Sequence, residues 1–273
     1  MPLNAYEKEA RREIDDWLRG DASLAMQALD LAARPLDWAT ERAVPDDTRD
    51  RATDRITNFL STLNDATEWT HEDEDLLARA REHDLRLASI EALREEPLAD
   101  LDPLARSFFT ENAVLAAIEG GGTGMGGAVL MAADIPMLFT INLRLIQQIA
   151  ASYGFPLRRP AYRFLVLNIF NAAAAGTKDA KNEAMREISV AASSLASGGE
   201  YQSRAPSGTF RDQSRNLPRE IAKNIVGRKL AQTVPVAGAA VGAGVNYWFT
   251  AETGQTAYML ARALHLEHKE RRG

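Results

Sequence analysis

Apolar residues recur at intervals of three and four over most of the chain, with charges filling the positions between them, which is the spacing of amphipathic helices. Tyr6–Leu18 follows it and is broken at Gly20-Asp21; Asp21 can cap a second helix over Ala22–Val44, bent or split at Pro35. Pro45-Asp46-Asp47 marks a turn and a new start, with acids at the positive end of the helix dipole. Thr70-His71-Glu72-Asp73 has the form of a capping box with Asp in the Glu position, and the chain stays rich in helix formers as far as Leu93. Asp102-Pro103 opens a helix over Leu104–Ile118, which the glycine run GGGTGMGG ends. Asp134-Ile135-Pro136 reads as cap and early proline, opening a helix to Tyr153 with Gly154 past its end. On that helix Leu143, Ile146, Ile149 and Tyr153 share an apolar side, and Arg144, Gln147 and Gln148 form a polar stripe.

Tyr162–Ala175 is apolar nearly all round and reads as a buried helix, although YRFLVLNIF fits a strand equally well by period. Lys178–Leu195 is amphipathic, and Ser197–Leu217, polar with Gly and Pro, reads as a long mobile loop. Pro218–Leu230 is helical and basic. The 22 residues Leu230–Ala251 carry no charge, and a last helix runs from about Thr250 to His268. Strands do not alternate with helices. The fold expected is all-α: one helical domain over residues 1–273, with a helical N-terminal part (1–112) and a part (113–273) holding glycine-rich core blocks and the C-terminal helix.

The glycine run contains a G-x-G-x-x-G match at Gly122, Gly124 and Gly127. A dinucleotide loop needs a strand before it and an acid about twenty residues on. The preceding residues read as helix, and Asn142 and Arg144 stand where the acid belongs. A P-loop fails because Ala128-Val129 replaces its Lys and Ser/Thr. Packing explains the run better. Gly120 and Gly124, Gly122 and Gly126, and Gly238 and Gly242 are each four apart, which lets another backbone approach closely. Two glycine-rich helical hairpins, Glu119–Tyr153 and Pro235–Ala263, are therefore expected to pack together at the centre.

Two blocks of this sequence carry a resemblance. EGGGTGMGGAVLMAADIPMLFTINLRLIQQIAASYGF (Glu119 to Phe155) resembles the central signature of the EcsC protein family: an acid, a glycine-rich turn, Asp-Ile-Pro, a Leu-Arg-Leu-Ile helix and Tyr-Gly. PVAGAAVGAGVNYWFTAETGQTA (Pro235 to Ala257) resembles its second block. The resemblance implies a mostly helical bacterial protein. The family is named for a protein encoded beside an ABC transporter, which implies neither transport nor catalysis, and it supplies no catalytic residue to carry over.

Charge divides the chain. Residues 1–112 hold 14 Lys+Arg against 27 Asp+Glu, a balance of −13, and the remainder holds 18 against 11, a balance of +7. Such a dipolar chain can direct its halves at different partners and is not a general nucleic-acid binder. There is no cysteine, so neither a disulfide nor a thiol nucleophile is available. The polar start, MPLNAYEKEARREIDDW, lacks the layout of a signal peptide, and the location expected is cytoplasmic or peripheral on the inner face of the membrane.

Glu119, Asp134, Arg144 and Asn246 are polar groups in apolar surroundings. They form a candidate pocket for a headgroup or an acid/base pair; the structural alternative makes Asp134 a cap and Arg144 its partner or that of Glu119. Arg215, Arg219 and Lys223 are spaced by four ahead of the uncharged span, and Arg228 and Lys229 follow, a candidate contact with anionic lipid or simply a solvated face. His265 and His268 have metal spacing without a third ligand and read as a solvated helix end, and His71–Asp75 reads as the acidic first turn of an exposed helix. Nothing calls for a cofactor or a metal, and no G-x-S-x-G elbow occurs. The leading expectation is a non-enzymatic protein associated with an anionic membrane surface or lipid. The alternatives are a soluble helical adaptor with a protein partner, and an enzyme using Glu119, Asp134 and Arg144.

Overall fold

A computed structural model describes residues 2–19, 46–65, 73–124, 127–155, 163–174 and 238–272, with short helical pieces within 182–226. Its elements are α1 (Ala5–Arg19), α2 (Asp46–Asp65), α3 (Asp73–Glu82), a 3-10 turn (Ile90–Glu95), α4 (Leu98–Gly124), α5 (Gly127–Ser152), α6 (Arg163–Ala174) and α7 (Gly238–Arg271). The described residues contain no strand, and the helices share one hydrophobic core running from Ala10 and Ile14 to Leu264 and Leu266. The fold is all-α, as the periodicity predicts. The helix expected over Ala22–Val44, that over Lys178–Leu195 apart from Asn182, the loop Ser197–Leu217 and the capping residues Thr70–Glu72 lie outside the described residues.

Helix ends follow local chemistry. In α1, Asn4 and Glu7 form a reciprocal cap: the Glu7 N–H donates to Asn4 Oδ1 and the Asn4 N–H to Glu7 Oε2, both at 2.9 Å. Helix α3 stops at Glu82 rather than continuing towards Leu93. Asp84 takes the left-handed conformation (φ 62°), and the Leu85 N–H closes back on the Ala80 carbonyl at 2.9 Å. The same device ends α5. Gly154 sits at φ 79° and the Phe155 N–H reaches the Ala150 carbonyl at 3.0 Å. A side chain there would also strike Arg94, whose Cγ lies 2.4 Å from the position of a Cβ.

Three helix boundaries correct the sequence reading. Helix α4 starts at Leu98, after Pro97, so Pro103 lies inside it and Asp102 is a helix-interior residue. Helix α4 continues through the glycines to Gly124, and α5 resumes at Gly127. Asp134 and Pro136 are therefore interior to α5 and do not open it. The second glycine block belongs to the single 34-residue α7, so the second hairpin is not formed. The turn of the first, at 125–126, lies outside the described residues.

Helices α4, α5 and α7 make the central unit. Their directions follow from side-chain pairs. On α4, Asp102, Arg106 and Phe109 meet Arg262, Tyr258 and Gly254 of α7 in that order. Asp102 and Asn112 likewise meet Tyr153 and Gln148 of α5. Helix α4 is thus antiparallel to both, and α5 and α7 are parallel. They cross closely at Gly254, where a Cβ would lie 2.3 Å from the Phe109 ring and 3.1 Å from Leu145. The space at Gly254 is taken by side chains of α4 and α5, the Phe109 ring first, rather than by a neighbouring backbone. Phe139, Phe170 and Phe249 fill the core beyond, with ring centroids 5.2–6.1 Å apart.

Candidate functional site

The most developed polar constellation lies at the C-terminal end of α5 and α7, under α1. Asp102 is buried on α4. Its Oδ1 accepts the Tyr153 hydroxyl and its Oδ2 the Tyr6 hydroxyl, each at 2.6 Å, and Arg262 Nη2 stands 3.1 Å from Oδ2. Four helices thus converge on one carboxylate. Arg262 is 2% exposed and uses Nη1 to reach Glu13 Oε2 on α1 at 2.6 Å. Its guanidinium lies 5.0 Å above the Tyr258 ring, and Arg106 approaches the same ring at 5.3 Å while its Nε donates to the Tyr258 hydroxyl.

Electrostatics keeps these groups in their donor and acceptor roles. Burial, then the Asp102 charge, holds the Tyr153 phenol well above its ordinary range. Burial and the hydrogen bond to Asp102 push Tyr6 up to about 12. Both phenols remain donors at neutral pH. Burial opposes the charge on Arg262, but Asp102 and Glu13 outweigh it and its pKa is raised. His265, one turn along α7, stacks edgewise on Tyr153 at 6.2 Å. Burial pushes its pKa down to about 4, and its Nδ1 has no partner. It is 2% exposed, so the reading of a solvated helix end fails for His265. His268 is half-buried, 3.7 Å from Glu95.

A second polar row runs through the unit. Asn112 donates to Gln148 at 3.0 Å and Asn142 to Thr250 at 3.0 Å. Gln147 and Gln148 are buried, so of the expected polar stripe only Arg144 faces solvent. Asn246 is fully buried and Arg144 is exposed. The side chains of Glu119 and Asp134 lie outside the described residues. Arg219 and Lys223 are exposed, while Ile221, Ala222, Ile225 and Val226 beside them are buried, which makes that segment amphipathic. Arg215, Arg228 and Lys229 lie outside the described residues. Asp73, Glu74 and Asp75 form the first turn of α3, as expected of the acidic cluster.

The sequence reading missed the Asp102 constellation. Local rules make Asp102 a helix opening and Tyr153 part of an apolar face. One signal was available: Asp102 in LADLDPLA and Arg262 in YMLARALHL are charges at core-facing positions of apolar helices, and buried charges need partners.

Of the seven exposed large apolar side chains among the described residues, two, Tyr6 and Leu18, are on α1 and five lie towards the opposite end of the unit. Val114, Leu115 and Ile118 on α4, Met137 on α5 and Tyr247 on α7 are all exposed, Ile118 to 68%. Counted from the Gly254 crossing, these positions lie about 8–14 Å along their helices in one direction. Val245, Trp248 and Phe249 at the same end are buried. Among the described residues no helix is long and apolar enough to cross a membrane.

Comparison with known proteins gives one family. The model of the EcsC protein family matches residues 8–266. Over 186 residues the chain is 28% identical to YdbA of Bacillus subtilis, covering 63% of this chain and 60% of that protein. Over 160 residues it is 29% identical to the protein EcsC of the same organism, covering 59% and 61%. The chain thus spans about three-fifths of the length of these curated relatives. No solved structure matches.

Proposed function

The chain belongs to the EcsC protein family, and from that premise we propose that it is a non-enzymatic protein that docks reversibly on an anionic membrane surface through the glycine-rich end of its three-helix unit. The observation that carries the reading is the gathering of Val114, Leu115, Ile118, Met137 and Tyr247, exposed, at one end of three helices. Exposed apolar groups of this size mark contact surfaces, and shallow insertion needs far less apolar area than a crossing. Arg219 and Lys223, exposed on an amphipathic segment, supply charge of the right sign. Each basic residue near an anionic surface adds about 1 kcal/mol at most, and salt screens it.

Flotation with neutral and anionic liposomes, at low and high salt, tests the reading. The protein is expected to float with anionic vesicles at low salt and to be released at high salt. Retention in the soluble fraction under every condition overturns it in favour of a helical adaptor. That second reading draws on the burial of Val245, Trp248 and Phe249, which makes most of the described span near Tyr247 ordinary core.

A further inference from the structure

Helix α1 is fastened to the rest of the molecule in an unusual way. Leu3, Glu7, Ala10, Ile14 and Trp17 face the core, alternating in spacings of four and three, the narrow seam of a helix laid along another helix. Only Ala10 and Ile14 are fully buried apolar residues of that seam. Its remaining fully buried position is an acid, Glu7, which pairs with Lys269 of α7. Burial works against the Glu7 charge, but Lys269 and the Asn4 N–H outweigh it and hold its pKa low. Flanking the seam, Glu13 pairs with Arg262, Arg11 with Glu270 at 2.7 Å, and Tyr6 donates to Asp102. Arg262, His265 and Lys269 lie at i, i+3 and i+7, one stripe of α7. Two acids of α1, Glu7 and Glu13, thus lie along a stripe of α7 that carries Lys269 and Arg262.

We propose that this stripe of α7 is a docking site for an acidic amphipathic helix of a partner protein, occupied here in cis by α1. Charge complementarity selects the class of partner, and an acid inside the seam sets its register, as polar seam residues do in coiled coils. The Arg262 Nε and His265 Nδ1, both buried without a partner, are polar capacity at this site that α1 leaves unused. Helix α1 is displaceable because it buries only two apolar residues fully and each of its three ion pairs to α7 keeps at least one member partly open to water. Loss of α1 removes Glu7 from Lys269 and Glu13 from Arg262, which keeps Asp102 and the Tyr258 ring.

The test uses the full chain and a labelled synthetic peptide covering residues 3–19 as the probe. In the double variant Tyr6→Phe/Glu13→Gln the cis helix competes less well. The peptide is expected to bind it at least tenfold more tightly than it binds the unmodified chain, and a Glu7→Gln peptide to bind at least tenfold more weakly than the unmodified peptide. Equal binding to both chains, or indifference to Glu7→Gln, overturns the proposal. Hydrogen exchange on the unmodified chain gives an answer even where the variant does not fold. Amides of α1 exchanging at least tenfold faster than those of α4 and α7 support a displaceable helix, and exchange only with global unfolding overturns it. A concentration-dependent dimer of the double variant assigns the site to α1 of a second copy and overturns the separate partner.

Discussion

The two ends of the α4–α5–α7 unit solve opposite problems. At one end Asp102, Arg262, Tyr153 and Tyr258 are buried polar groups held by one another and by Tyr6, Glu13 and Arg106, with α1 over them. At the other, Val114, Leu115, Ile118, Met137 and Tyr247 are apolar groups left in water. The close crossing at Gly254 lies between them. A charge brought into the core must bring its partners, so the first end is specific and intolerant of substitution. An apolar side chain in water gains nothing from the folded chain, so the second end is free to change unless something else covers it. Sensitivity to substitution therefore resides among Asp102, Arg262 and Tyr153 at the charged end, and the proposed contact with a membrane at the apolar one.

The largest expected effect is at the charged end. Arg262→Met deprives buried Asp102 of its cation and should cost about 3–5 kcal/mol in urea unfolding, because an uncompensated buried charge is left behind. A loss below about 1 kcal/mol would mean the carboxylate is held by its tyrosines alone.

Acid probes the same end. The folded-state pKa of His265 is depressed from 6.5 to about 4, so the unfolded chain takes up its proton first. This contribution to stability is complete above about pH 6.5 and is lost as the pH falls towards 4, amounting to roughly 3 kcal/mol. The depressed pKa of Glu7 acts in the same direction below its ordinary value of 4.5. Denaturant midpoints across this range should fall with acid, and His265→Gln should flatten the fall between pH 6.5 and 4. An identical profile in that variant would assign the acid sensitivity elsewhere.

At the crossing, Gly254→Ala introduces a Cβ that must displace the Phe109 ring and should cost about 1–3 kcal/mol by overpacking. A Phe109→Leu background should recover part of that loss, which thermal melts of the single and double variants would measure.

The smallest effect on stability belongs to the apolar end. Ile118→Ser should change unfolding by no more than about 0.5 kcal/mol. It should nevertheless reduce flotation with anionic liposomes. Undiminished flotation would remove α4 from the proposed contact and break the contrast between the two ends.

Much of the fold was legible because helical periodicity is a local property. Helix α1, the start of α2, α6 and the glycine stop after α5 follow from residues within a turn or two of one another. The misread boundaries share a cause. Proline and glycine mark helix ends by their local cost, yet Pro103, Pro136 and the glycines as far as Gly124 lie inside helices that neighbouring helices support. The candidate site was legible only in part. Arg144 and Asn246 both interrupt apolar runs, and only the structure tells that the first is exposed and the second buried. Tyr6, Asp102, Tyr153 and Arg262 come from four segments, and no spacing rule links residue 6 to 102 or 262.

By itself the sequence determined the class of fold, the family and the uneven charge, since each is written in composition and in patterns a few residues long. Tertiary structure decided which polar residues meet. That choice depends on the direction and axial rotation of α4, α5 and α7, set by the close approach at Gly254 and by the need of every buried charge for a partner. It also decided that His265 is buried and that Ile118 is left in water, because a helix pattern gives each residue a face but not what covers it.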